Sequence, residues 1–221
     1  MSRHGLLLAL GVPAAAALAA TAAVGGGGGG ATRARIALWL FAHAFYLAAA
    51  WVATRPRTPS PREHTMVLIL VVGLVPRLAL LPTEPTLSED LYRYLWDGRL
   101  AAAGVNPFPT APSDPTLARF RDGLEKKLNH ADVPTIYPPT AQLLFAATAR
   151  IGATPRAWKA TLLALETALL LALAFLLRTR GLPPERLLLY YWNPLVVVES
   201  FGSGHVDLAV AAFLVVALAL H

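Results

Sequence analysis

Two carboxylates, Glu89 and Asp90, stand side by side in the stretch 88–104, SEDLYRYLWDGRLAAAG. A carboxylate held near a substrate hydroxyl can act as a general base, and a second one beside it can support or share that work. The stretch carries helix signals at both ends. Ser88 is an N-cap residue, and acidic residues in the first turn suit the positive end of the helix dipole. Gly104 suits the position after the last turn, and Asn106-Pro107 stops the helix. At helical spacing Asp90, Arg93, Tyr94 and Asp97 share one face, while Leu91, Leu95 and Ala102 share another. Such a helix can lie at a membrane surface with its acidic, basic and aromatic groups turned to a substrate. The plainer alternative is a solvated helix with an ordinary Arg93–Asp97 pair.

Further ionisable residues fall in or beside apolar runs: Arg77, Glu166, Glu199, His205 and Asp207. Each costs roughly 2.5–3.5 kcal/mol at mid-bilayer, so they should pair or line a watered cavity. Glu166, the most deeply placed, either bonds to a neighbouring helix or supports the site. Arg77 either snorkels from a span end or works there. One histidine among carboxylates at no recognisable ligand spacing is a weak sign of a metal, and there is no cysteine to add to it. Carboxylates at membrane level suit base catalysis on a hydroxyl, with Arg or His stabilising a departing phosphate.

The elements that must position these groups are membrane helices. Mean hydropathy is +0.52 and only 14% of residues are charged, against roughly 25% in soluble domains. We therefore expect an all-α polytopic membrane protein, in one transmembrane domain over residues 1–221. Spans are expected near 5–24, 36–53, 65–81, 157–177, 187–201 and 208–220. Residues 140–151 are too short to cross and read as a re-entrant or interfacial helix. Residues 82–139 form one long polar segment whose aromatic content argues for order. The six glycines at 25–30 lack the ending of a phosphate loop and read as a turn. His43 reads as a packing residue. The net charge of +6 is no nucleic-acid footprint, because the arginines lie between apolar runs and fix orientation. Arg3, the Arg55/Arg57/Arg62 group and the Arg178/Arg180/Arg186 group all face the cytoplasm if 140–151 does not cross. The N-terminus is then inside, and the 82–139 loop and the GSGHVD turn (202–207) share the extracytoplasmic face. The last apolar run reaches His221 without a polar flank, which reads as the N-terminal part of a longer chain.

Three blocks, SEDLYRYLWDGRLAAAGVNPF, NHADVPTIYPPTAQLLF and YYWNPLVVVESFGSGHVDLAV, resemble the polyprenol-phosphate-sugar-dependent glycosyltransferases of the GT-C superfamily, chiefly the bacterial mannosyltransferase-like members. The resemblance covers residues 77–220 or so. It implies a GT-C-like helical bundle in the cell membrane with a long extracytoplasmic catalytic loop. It implies inverting transfer of a hexose, foremost mannose, from a polyprenyl-phosphate sugar to a cell-envelope glycan or glycolipid, leaving a divalent metal open. By position it makes Asp90 the catalytic base, with Glu89 supporting it. Arg93, Arg99, Tyr137 and His205 become donor phosphate or sugar contacts, Tyr94 and Trp96 sugar-stacking rings, and Asp97 and Asp207 further substrate contacts. Asn106 and Asn193, each before a proline, read as fold-defining. Two other classes remain in view. A flippase for a polyprenyl-linked substrate predicts ionisable residues through several spans and an internal repeat, whereas here the polar groups gather in one loop and no repeat is visible. A non-catalytic assembly partner predicts no need for Asp90.

Overall fold

The computed structural model describes residues 2–26, 28–55 and 62–221; among these the regular elements are all helices, joined by turns and irregular segments, with no strand. Arg57 and the other residues of 56–61 lie outside them, as do Met1, Gly27 and the side chains of Arg62 and Glu63. Nine α-helices follow in order: α1 Arg3–Ala20, α2 Gly29–Thr54, α3 Arg62–Leu80, α4 Asp90–Ala102, α5 Pro139–Ile151, α6 Pro155–Thr179, α7 Leu188–Tyr191, α8 Pro194–Val197 and α9 Asp207–Leu220. Among the described residues, three segments are long and apolar enough to cross a membrane: Arg3–Ala23, Gly29–Thr54 and Pro155–Thr179. That is fewer than the six expected spans. His64–Leu80, Pro194–Ser203 and Asp207–Leu220 are apolar but shorter.

α1 packs along α2 and α3, and arginines close both ends of the first pair. Arg3 donates to the carbonyls of Val52 and Ala53 at 2.7 and 2.9 Å. Arg35 donates to those of Val24 and Gly26 at 2.6 and 3.2 Å. Each satisfies carbonyls that a helix end or turn would leave bare. Small residues set the spacing elsewhere: a Cβ at Gly11 would meet Trp192 at 2.4 Å, and one at Gly73 would meet Tyr191 at 2.3 Å. These contacts belong to a core of Leu7, Ala15, Ala49, Ile69, Val72, Leu188, Tyr191 and Trp192.

Arg77 does not snorkel. It is fully buried and meets Glu166 on α6, Nε to Oε2 at 2.5 Å and Nη2 to Oε1 at 2.7 Å. Its Nη1 donates to the carbonyls of Gly73 and Tyr191, and the Tyr190 hydroxyl donates to Glu166. Each of the three guanidinium nitrogens has a partner, so α3, α6 and α7 are pinned at one point.

The expected span at 187–201 is not one helix. A 3-10 turn (Pro184–Leu187) leads into α7, the chain breaks at Asn193, and α8 passes into a π turn, Val198–Ser203. Pro194 has no N–H to donate and forces Asn193 into extended backbone (φ −63°, ψ 117°). Asn193 Oδ1 then accepts the Leu195 N–H at 3.0 Å, and Asn106 Oδ1 accepts that of Phe108 at 3.1 Å. Both asparagines define the fold, as expected.

The polar segment is ordered around α4, but α4 is no surface helix. Leu91 to Gly98 are all buried, against α5 and beneath Leu117. Gly98 permits this, since a Cβ there would lie 2.5 Å from the Phe145 carbonyl oxygen. Ser88 is not the N-cap either. Glu89 occupies that position, and Ser88 Oγ accepts the Asp90 N–H at 3.2 Å. The far end follows expectation: Gly104 is left-handed (φ 76°), its N–H meets the Ala101 carbonyl, and that of Val105 meets Leu100, a Schellman closure.

Candidate active site

The first turn of α4 puts the Asp90 carboxylate where three segments distant in sequence converge. Asn129, from the segment after the 3-10 turn Leu124–Lys127, donates Nδ2–H to Asp90 Oδ1 at 3.1 Å. His205, just before α9, places Nε2 4.0 Å from Asp90 Oδ2. Glu199, in the π turn, sits 2.6 Å from His205 Nδ1. A carboxylate can only accept, so Nδ1 carries the hydrogen and Nε2 is the nitrogen turned toward Asp90. The Asp90 and His205 side chains are 37% and 23% exposed, open enough for a ligand yet held on one side. The 4.0 Å gap is too long for a direct hydrogen bond but lets one oxygen atom approach both groups at about 2.8 Å.

The turn that presents His205 is fixed from several directions. The His205 N–H donates to the Glu199 carbonyl at 2.9 Å. Gly204 is left-handed (φ 81°), and Trp158 Nε1–H donates to its carbonyl at 2.6 Å. A Cβ on Gly204 would lie 2.4 Å from the Leu91 side chain, so this turn rests directly on the residue after Asp90.

The other expected site residues fall into separate groups. Glu89 is exposed next to Asp90. Asp207 is exposed in the first turn of α9 and shares with Glu199 the rim of a cavity of about 200 Å³, walled by Tyr190, Leu195 and Leu208. Arg93 and Asp97 form a pair, Nε to Oδ1 at 3.0 Å, that is buried rather than solvated. Arg93 also donates to the carbonyls of Val133 and His130, and Gln142 Nε2 donates to Asp97 Oδ2. The pair thus ties α4 to the 130–133 segment and to α5. Tyr94 is 2% exposed, stacked on Phe145 at 4.8 Å and edge-on to Tyr137 at 5.0 Å and Trp158 at 5.4 Å. Burial, with the Tyr137 phenol beside it, pushes its hydroxyl well above the usual tyrosine range, and burial raises Tyr137 too. Trp96 is 1% exposed among Leu100 and Leu117. Neither the Tyr94 nor the Trp96 ring turns a face to solvent. Arg99 lies near the other end of α4, paired with Asp122 at 2.6 Å.

Of this cluster, Asn129 was not singled out from sequence, and Glu199 was noted as an ionisable residue beside an apolar run without a role in the site. Both lie inside the blocks that carry the family resemblance, which is the signal that could have found them. Among the described residues no three His, Asp or Glu side chains converge into a metal-binding group.

No curated protein and no solved structure matches the chain. A family model does, over residues 5–221, described as the N-terminal domain of alpha-(1->6)-mannopyranosyltransferase. The match includes the first two long helices as well as the cluster around Asp90. The chain belongs to the alpha-(1->6)-mannopyranosyltransferase family and is a glycosyltransferase domain of mannosyltransferase type.

Proposed function

We propose that this domain transfers mannose from a polyprenyl-phosphate donor to a hydroxyl of a cell-envelope glycan or glycolipid, with inversion at the anomeric carbon. The family description adds the linkage: an α-(1→6) bond made at a primary hydroxyl. In this reading the acceptor oxygen attacks C1 of mannose while the C1–O bond to phosphate breaks. The bonding pair leaves with the polyprenyl phosphate, and the hydroxyl proton passes to the Asp90 carboxylate. Glu89 adds negative charge beside the base. His205 faces the same space through Nε2, and the ring, when protonated, can donate to a phosphate oxygen as charge builds there.

The observation that carries the reading is the state of Asp90: half-exposed, fixed at Oδ1 by Asn129, with Oδ2 turned toward His205 across a gap that admits one oxygen atom. Arg93, Asp97, Tyr94 and Trp96 serve in this reading to hold α4 rather than to touch sugar. His205 and the exposed Asp207 remain the substrate contacts beyond the carboxylate pair, with Tyr137 at the border between core and site.

The reaction is extracytoplasmic in this reading and the domain crosses the membrane several times. Supporting this, Arg3 and Arg55 lie at one end of the α1–α2 pair, and the 3-10 turn beside Arg186 packs on α2 and α3. Placing those arginines in the cytoplasm puts Asp90 outside. The test is transfer of radiolabelled mannose from polyprenyl-phosphate-mannose in membranes, with the parent and its Asp90→Asn variant. Loss of at least ~100-fold in a normally inserted variant is expected. Equal transfer by both removes Asp90 as the base.

A further inference from the structure

Resting on that reading of Asp90 and His205, we propose that Glu199 is a positioning residue for the transfer. It accepts the His205 Nδ1–H and holds Nε2 toward the space above Asp90, where the protonated ring donates to the departing phosphate.

The geometry is more constrained than a surface ion pair requires. Glu199 and His205 are six residues apart, a spacing that regular α-helix would not place on one face. The π turn and the left-handed Gly204 bring both side chains to the same side, and the backbone bond from His205 to Glu199 closes the ring of contacts. Trp158 anchors Gly204 from α6 and Leu91 supports it from α4. The imidazole therefore has a fixed stem, and the 2.6 Å bond to Glu199 removes its remaining freedom to flip. Exposed pairs of this kind contribute little to stability, and the two side chains are 23% and 43% exposed. Single-turn π elements occur frequently at functional sites. Pre-organised, the protonated ring aims Nε2–H at the phosphate oxygen that receives the bonding pair without first reorienting; released, the ring can turn away. One proton still moves, from the acceptor hydroxyl to Asp90, and Glu199 itself exchanges none.

The test uses the whole protein in proteoliposomes with polyprenyl-phosphate-mannose as donor. Glu199→Ala should lower kcat by about 10- to 100-fold, the scale of a misplaced group, with the donor KM within about twofold. Glu199→Gln keeps an acceptor oxygen for Nδ1–H and should recover most of that loss. Because both changes act through one ring, Glu199→Ala added to His205→Ala should cost almost nothing more. Thermal inactivation of Glu199→Ala should stay close to that of the parent. Unchanged kcat in Glu199→Ala overturns the positioning role, and so does a full further loss in the double variant. Failure of Glu199→Gln to recover, with melting and KM changed together, overturns it as well, because that pattern marks a structural residue. Asp90→Asn is run alongside: its activity sinks the base assignment itself, whereas an inactive Asp90→Asn beside an active Glu199→Ala sinks only this inference.

Discussion

Arg77 and Glu166 lie 89 residues apart in sequence and meet as a two-bond fork with side chains 0% and 1% exposed. A charge taken out of water this completely is tolerable only when every polar atom is matched. Here the Tyr191 and Gly73 carbonyls and the Tyr190 hydroxyl complete the set. Removing one partner leaves the other charged and alone. Glu166→Ala should therefore destabilise the protein by about 3–5 kcal/mol. The paired replacement Arg77→Met with Glu166→Leu should cost far less. Thermal unfolding in detergent of the two variants separates a structural pin from a group needed for chemistry. If the double variant is stable and still transfers mannose, the pair is a pin.

Close helix approach makes a second set of expectations. Gly98→Ala drives a methyl group into the Phe145 backbone, which cannot swing away. Overpacking should cost about 1–3 kcal/mol and loosen α4 from α5. Gly25→Ala, with nothing within 4 Å of the added Cβ, is the control and should melt with the parent. Identical melting of the two variants would contradict the α4–α5 packing.

Asn129 holds one oxygen of Asp90, so Asn129→Ala should free the carboxylate to rotate and lower kcat by roughly 10-fold or more. Asn129→Asp puts a third carboxylate beside Glu89 and Asp90 and should be worse than alanine at neutral pH. Steady-state rates of both variants, normalised to protein in the membrane, decide this.

Arg99 pairs with Asp122 at the opposite end of α4 from Asp90. If its role is confined to that pair, Arg99→Ala should leave transfer within about twofold. The Arg99 hydrogen bond is the chief reason Asp122 titrates below the usual carboxylate range. A depressed carboxylate stabilises the fold above its unfolded-state value, near pH 4, and that contribution is lost as pH falls through the lower folded value. The variant should thus melt like the parent in acid and slightly lower at neutral pH. A large loss of transfer would instead return Arg99 to the substrate.

What the sequence by itself determined is the helical, membrane-type class and the stop of α4 at Gly104 before Asn106-Pro107; it also singled out the Asp90 carboxylate. Composition, apolar run length and capping chemistry are local properties, readable without a partner. The family resemblance was also legible, in three short blocks. Sequence could not say that those blocks meet, nor that Asn129 and Glu199 flank Asp90 and His205, because each contact joins residues brought together only by packing. It misjudged α4 for the same reason. An Arg93–Asp97 pair and a Tyr–Trp pair look polar and amphipathic until Gly98 lets α5 cover them. It also drew one span through 187–201, where Asn193-Pro194 and the π turn break the helix. Local rules give the break its cause, but only the tertiary structure, with Gly204 seated between Leu91 and Trp158, decided that the break presents a histidine to a carboxylate.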